Sequence, residues 1–222
     1  SHTVTVLEGI TDKVGDVAYT KGCEITAMTE TRSIFDRLTS PDGKPGLRAE
    51  YWNNTDMSGE PAAVVNYTSP ISLDNGGNTV FAPGVNLTDF TVRMTGSFVA
   101  DADETFDINF NNDDGGRIIV NGDTIHNRWN SRDPFNFRTF KLKVEKGKKY
   151  DLEFDYKQLA DDATLSIDVA RNAAVTPAEI VARADDKDVI IFVGGISPNL
   201  EREEARVTEP GFDNGDRTSI EL

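Results

Sequence analysis

The sequence predicts a mainly β chain with α/β flanks: an antiparallel β-sandwich inserted between two segments of a parallel-sheet α/β domain. Three observations lead there. Between Gly46 and Asn172, apolar and polar residues alternate in short runs separated by turn residues, the period of half-buried antiparallel strands. On either side the pattern is helical, and each flank carries a capping box, Thr5 with Glu8 and Thr176 with Glu179. The second flank also holds Asp188-Val-Ile-Ile-Phe-Val193, a continuous apolar run of the kind found in a strand buried on both faces.

In the first flank, Thr5 caps a helix in which Val6, Leu7, Ile10 and Val14 recur at helical spacing, and Gly15 stops it. Val17 to Lys21 reads as a short strand ending at Gly22. Glu24 to Lys44 is less regular, with a short helix around Ile34 to Leu38. Ser40-Pro-Asp-Gly-Lys-Pro45 then carries turn chemistry that predicts a domain boundary. The expected segments are therefore 1–45, 46–172 and 173–222. Excising the middle one leaves an αβαβ unit whose strands, Val17–Lys21 and Val189–Val193, would lie parallel and adjacent.

Within the middle segment, Leu47–Trp52, Val64–Tyr67 and Phe90–Ala100 read as strands, with a turn at Asn75–Asn78. Phe106, Ile108 and Phe110 alternate with Asp107 and Asn109. The Asn112-Asp-Asp-Gly-Gly116 turn then predicts a hairpin with the strand that follows it. Asn121-Gly122 favours a type I′ turn, since both residues tolerate positive φ. Thr139–Val144 and Tyr150–Tyr156 alternate cleanly, and Glu-Lys-Gly-Lys-Lys between them predicts a second hairpin. Ala163–Val169 is a last strand. Thr176-Pro-Ala-Glu179 opens the second flank, with Pro at the first helical position, where its missing N–H costs nothing.

The chain has 222 residues, 37% of them hydrophobic, enough for a folded core, and a formal net charge of −15. That charge opposes nucleic acid and anionic membrane, whose phosphates require an excess of Lys and Arg. It suits neutral or cationic ligands. The single cysteine, Cys23, excludes an internal disulfide and reads as a small apolar residue at a strand end. No apolar run reaches the length of a membrane span, and no signal peptide is evident. The abrupt ends predict a piece of a longer chain.

Three motifs could carry chemistry. Asp113 and Asp114 offer oxygen ligands to a hard cation such as calcium, though without EF-hand spacing; the alternative is a polar loop whose side chains bond their own backbone. Arg128, Trp129 and Phe135 place aromatic faces beside a guanidinium, which suits sugar, with its apolar C–H faces and hydroxyls. The alternative for Trp129 is plugging one end of the sandwich; Phe137 and Phe140 read as core. Past the apolar strand, Glu201, Glu203 and Glu204 follow Gly194-Gly195, at the rim where ligands bind in open α/β sheets. A carboxyl there could act as general acid and base.

These residues resemble two known families. Gly46-Leu-Arg-Ala-Glu-Tyr-Trp-Asn-Asn54 and Asn112-Asp-Asp-Gly-Gly-Arg-Ile-Ile-Val-Asn-Gly122 resemble the start and centre of the PA14 domain, a β-sandwich module. Leu7-Glu-Gly-Ile10, Tyr19-Thr-Lys-Gly-Cys23, Asp188–Gly195 and Gly215-Asp-Arg-Thr-Ser-Ile-Glu-Leu222 resemble the carboxy-terminal α/β domain of glycoside hydrolase family 3, which includes β-glucosidases and β-xylosidases. The resemblance implies a retaining enzyme acting on an oligosaccharide. Its nucleophile would lie on a (β/α)₈ barrel absent from this sequence, so the chain alone should be inactive. The acid/base falls on Glu201, with Glu203 and Glu204 as alternatives. The resemblance further implies no cofactor, with calcium at Asp113 and Asp114 if any metal binds. It places Trp129 and Arg128 near the leaving-group subsites and the enzyme in the periplasm or outside the cell.

Overall fold

The computed structural model describes residues 4–20, 22–23, 28–76, 78–130 and 138–194, with the backbone of 212–213 and 216–217. The chain divides into two compact units, one of residues 32–172 and one of 1–31 with 173–222.

The larger unit is built from two sheets. Its strands are β1 (Thr29–Ser33), which begins just before it, β2 (Leu47–Trp52), β3 (Ala63–Tyr67), β4 (Ile71–Asp74), β5 (Phe90–Val99) and β6 (Glu104–Asn112). There follow β7 (Gly115–Val120), β8 (Asp123–Asn127), β9 (Arg138–Val144), β10 (Lys149–Gln158) and β11 (Thr164–Ala174). One sheet runs β1-β11-β6-β9, with β4 also on β11; the other runs β3-β2-β5-β10-β7-β8.

Alternation in the strands becomes a shared core. Phe106, Ile108 and Phe110 of β6 and Leu165, Ile167 and Val169 of β11 are buried with Met94 and Phe98 of β5 and Leu152, Phe154 and Tyr156 of β10. Rings meet across the two sheets: Phe98 lies edge-on to Phe106 at 5.6 Å, and Phe110 lies 6.1 Å from Phe154. Burying each such side chain contributes about 1.5–3 kcal/mol, so this core carries the unit.

Two expected hairpins are not hairpins. β6 belongs to the first sheet, paired with β11 and β9, whereas β7 belongs to the second, paired with β10 and β8. The Asp113–Asp114 turn therefore crosses the core edge from sheet to sheet. The same holds for β9 and β10, joined through Gly147 at φ 78°. Period-two alternation fixes which face of a strand is buried and leaves its partner open, so both connections look like hairpins in the sequence. The turn between β7 and β8 is a hairpin as expected, with Asn121 at φ 51° and Gly122 at φ 85°.

The Ser40–Pro45 turn lies inside the larger unit. Ile34, Phe35 and Leu38 before it are buried in the common core, and Thr39 bridges both Pro45 and Ser97. The expected short helix is a 3₁₀ turn, Phe35–Arg37. β1, of sequence TETRS, carries no apolar alternation, and β4, of sequence ISLD, alternates over only four residues; neither is among the strands read from the sequence.

In the smaller unit both helices form where their capping boxes put them: α1 (Val6–Val14) on Thr5 and α2 (Pro177–Ala182) on Thr176. The expected strands do not. Residues 17–20 and 189–194 are without strand, and Val189 to Val193 are exposed, Phe192 by 90%. A parallel strand exists only through hydrogen-bonded neighbours on its sheet, and none pairs with this run among the described residues.

Candidate functional site

The turn between β6 and β7 is held by its own polar side chains. Asp114 sits at φ 54°, and its carboxylate accepts the Leu159 N–H at 2.7 Å and the Ala160 N–H at 3.4 Å, tying the turn to the loop after β10. Asp113 accepts the Asp114 N–H at 2.7 Å, and Asn112, fully buried, donates to the Asp114 carbonyl at 3.0 Å. Burial pushes the Asp113 carboxyl above its ordinary range, and repulsion from Asp114, Asp161 and Asp162 adds to the rise. Among the described residues, no three His, Cys, Asp or Glu side chains cluster. Both carboxylates accept backbone N–H groups, Asp113 within the turn and Asp114 from the loop after β10.

Trp129 follows the end of β8. Its N–H donates to Asn127 Oδ1 at 3.1 Å, and the neighbouring Arg128 N–H donates to the Gly116 carbonyl at 2.8 Å. The ring is half-buried and engaged by two cations, the Arg117 guanidinium at 4.2 Å and the Lys157 ammonium at 4.7 Å from its centroid. Trp129 is thus not part of the core between the sheets; it is braced by charged side chains of β7 and β10. Gly115 makes room for this: a Cβ there would lie 2.3 Å from the Trp129 carbonyl oxygen. Arg128 is half-buried beside it, whereas Phe135 and Phe137 lie outside the described residues. Phe140 is partly buried against the core, as the sequence predicts, and lies 4.8 Å from His126.

Arg117 owes its position to a feature missed in the sequence. Glu50, Arg93, Asp155 and Arg117 occupy one register across β2, β5, β10 and β7. Asp155 has no exposed surface, and it is held by Arg93 in a bidentate pair (Nε to Oδ1 2.8 Å, Nη2 to Oδ2 2.9 Å) and by Arg117 through Nε at 3.1 Å and Nη2. The signal in the sequence is the polar half of each alternating strand (TVRMT, LEFDYK). It becomes readable only with the register known.

Glu201, Glu203 and Glu204 lie outside the described residues. No helix among the described residues is long and apolar enough to cross a membrane.

Two antiparallel sheets closed over one core define a β-sandwich module. The model of the PA14 domain matches residues 43–179, and the chain belongs to the PA14 domain family. A xylan 1,4-beta-xylosidase of Xylanibacter ruminicola is 37% identical over 227 residues, an alignment covering 100% of this chain and 26% of that enzyme. The anti-sigma-I factor RsgI3 of Acetivibrio thermocellus is 32% identical over 113 residues, 51% of this chain and 17% of that protein. Among solved structures, an anti-sigma factor domain-containing protein superposes with a TM-score of 0.50 at 26% identity, over 60% of this chain and 47% of its own. The chain thus spans about a quarter of the xylosidase and a smaller share of the anti-sigma factor.

Proposed function

We propose that this chain is part of a retaining, exo-acting β-glycosidase, a family 3 β-xylosidase or β-glucosidase, that removes terminal β-linked sugars from oligosaccharides outside the cytoplasm. The observation that carries this reading is the 37% identity to a xylan 1,4-beta-xylosidase along the whole chain, both flanks included. The residue pattern of those flanks resembles the domain that supplies the acid/base in family 3. Glu201 is the leading candidate, with Glu203 and Glu204 as alternatives. In that role its carboxylic acid protonates the departing glycosidic oxygen, and the resulting carboxylate then takes a proton from the water that releases the sugar. The nucleophile belongs to a barrel outside this sequence, so the chain alone does not turn over. Trp129, braced by Arg117 and Lys157, would present a fixed edge to the leaving-group side, with Arg128 and Phe135 beside it. Replacing Glu201 by Ala in the full-length enzyme tests this. Turnover of xylobiose should fall about 10²–10⁴-fold, and that of 2,4-dinitrophenyl xyloside far less, because that leaving group needs no proton. Equal kinetics on both substrates would reject the assignment, and the same pattern from Glu203→Ala or Glu204→Ala would move it.

A second reading is favoured by the match to an anti-sigma-I factor, a protein not named as a glycosidase, over 51% of this chain. Under it the module recognises carbohydrate independently of any barrel. Calorimetric titration of the 222-residue chain with xylo- and cello-oligosaccharides, with and without calcium, decides it: no heat in any arm rejects independent binding.

A further inference from the structure

On the solvent side of the six-stranded sheet, a groove of about 460 Å³ crosses β5, β10 and β7, with Pro41 lining it on the β5 side and Gly122 on the β7 side. We propose that this groove binds a neutral oligosaccharide; the proposal rests on the reading of the module as an independent carbohydrate binder and gives that reading a site.

The floor is set by register. Ser97 stands beside Asp151, and Thr95 beside Glu153, which is flanked on its other side by Ile119. Three strands make a floor about 10 Å wide, and the volume lies within the usual range of about 300–1,000 Å³ for small-molecule sites. The chemistry selects the ligand. Each acid already has its cation: Lys149 pairs Asp151 at 2.7 Å, and Arg93 pairs Glu153 at 3.1 Å. A cationic ligand would have to displace these partners, and an anion would meet two carboxylates on a chain of net charge −15. A polyhydroxylated neutral chain meets neither cost. Its hydroxyls can donate to the carboxylates and exchange bonds with Thr95 and Ser97, while an apolar ring face lies on Ile119. Gly122, without a side chain, leaves the rim low on that side. The site is rigid because it is built on paired strands, so little ordering opposes binding.

The test uses the 222-residue chain and xylotetraose, with cellotetraose as a second probe. Amide chemical shifts should move at Thr95, Ser97, Asp151 and Glu153. Ser97→Tyr, which fills the groove, and Asp151→Ala should each weaken binding about tenfold or more while leaving the melting temperature within a few degrees. Shifts confined to Asp113–Asp114 or Arg128–Trp129, with both variants binding normally, would overturn the groove and leave the module a carbohydrate binder. No shift and no heat with either sugar would overturn both.

Discussion

Asp155 is the residue on which the outer face of the sheet turns. A carboxylate with no exposed surface is tolerated only because two guanidiniums satisfy it, and they in turn are held in place by it. Asp155→Ala should therefore destabilise the chain by about 1.5–3 kcal/mol in urea or guanidinium titrations; the arginines are partly exposed and rehydrate, which keeps the loss below that of a fully buried pair. Asp155→Asn should cost less, since it retains an acceptor. Asp113 is the opposite case. Its folded carboxyl binds a proton more tightly than the 3.8 of an ordinary aspartate. The folded state thus carries the extra proton, so stability falls as pH rises through the interval above 3.8, and ionised Asp113 opposes folding at neutral pH. Asp113→Asn keeps the acceptor for the Asp114 N–H and removes the charge. It should raise the denaturation midpoint at pH 7 and have little effect at pH 3; a uniform effect at both would show that the charge is not the cause.

At the scale of elements, the connection from β6 to β7 does more than turn the chain. Asp114 ties it to the loop after β10, and Gly115 lets the chain at Trp129 pass directly above. Gly115→Ala puts a methyl group against backbone, which must move; we expect a loss of about 1–3 kcal/mol and a shifted tryptophan emission, read by denaturation and fluorescence. Wild-type emission with wild-type stability would mean the Trp129 segment yields without cost. The helices are local devices. Thr176 accepts the Glu179 N–H at 3.2 Å while Glu179 accepts the Thr176 N–H at 2.7 Å, and Thr176→Ala should cost about 1 kcal/mol in the stability of α2. Amide exchange of α2 should accelerate while that of β10 does not change.

For the whole molecule, the two units differ in what holds them. The larger one buries a continuous core, whereas α1 and α2 bury no residue and the 189–193 run is exposed. Hydrogen exchange on this chain should give the slowest amides in β5, β10 and β6 and the fastest in α1, α2 and 188–194, with protection falling by orders of magnitude between the units. Equal protection would show one cooperative body. In a longer protein the 189–193 run should become protected if a neighbouring strand is supplied, which is the condition a parallel strand needs.

The residue pattern of the sequence determined β2, β3, β5, β6, β7, β9, β10 and β11 but not β1, β4 or β8, and it also determined both capping boxes, the type I′ turn at Asn121-Gly122 and the PA14 resemblance. These rest on a residue and its near neighbours: period two exposes one face, a threonine caps the backbone three residues on, and Asn-Gly accepts positive φ. It did not determine that β6 and β7, or β9 and β10, lie in different sheets. Nor did it bring Glu50, Arg93, Asp155 and Arg117 into one row, or show that Trp129 rests on cations rather than in the core. Those features depend on which strands pair and in what register, and that choice is made by packing two sheets around one core, between residues far apart in the chain.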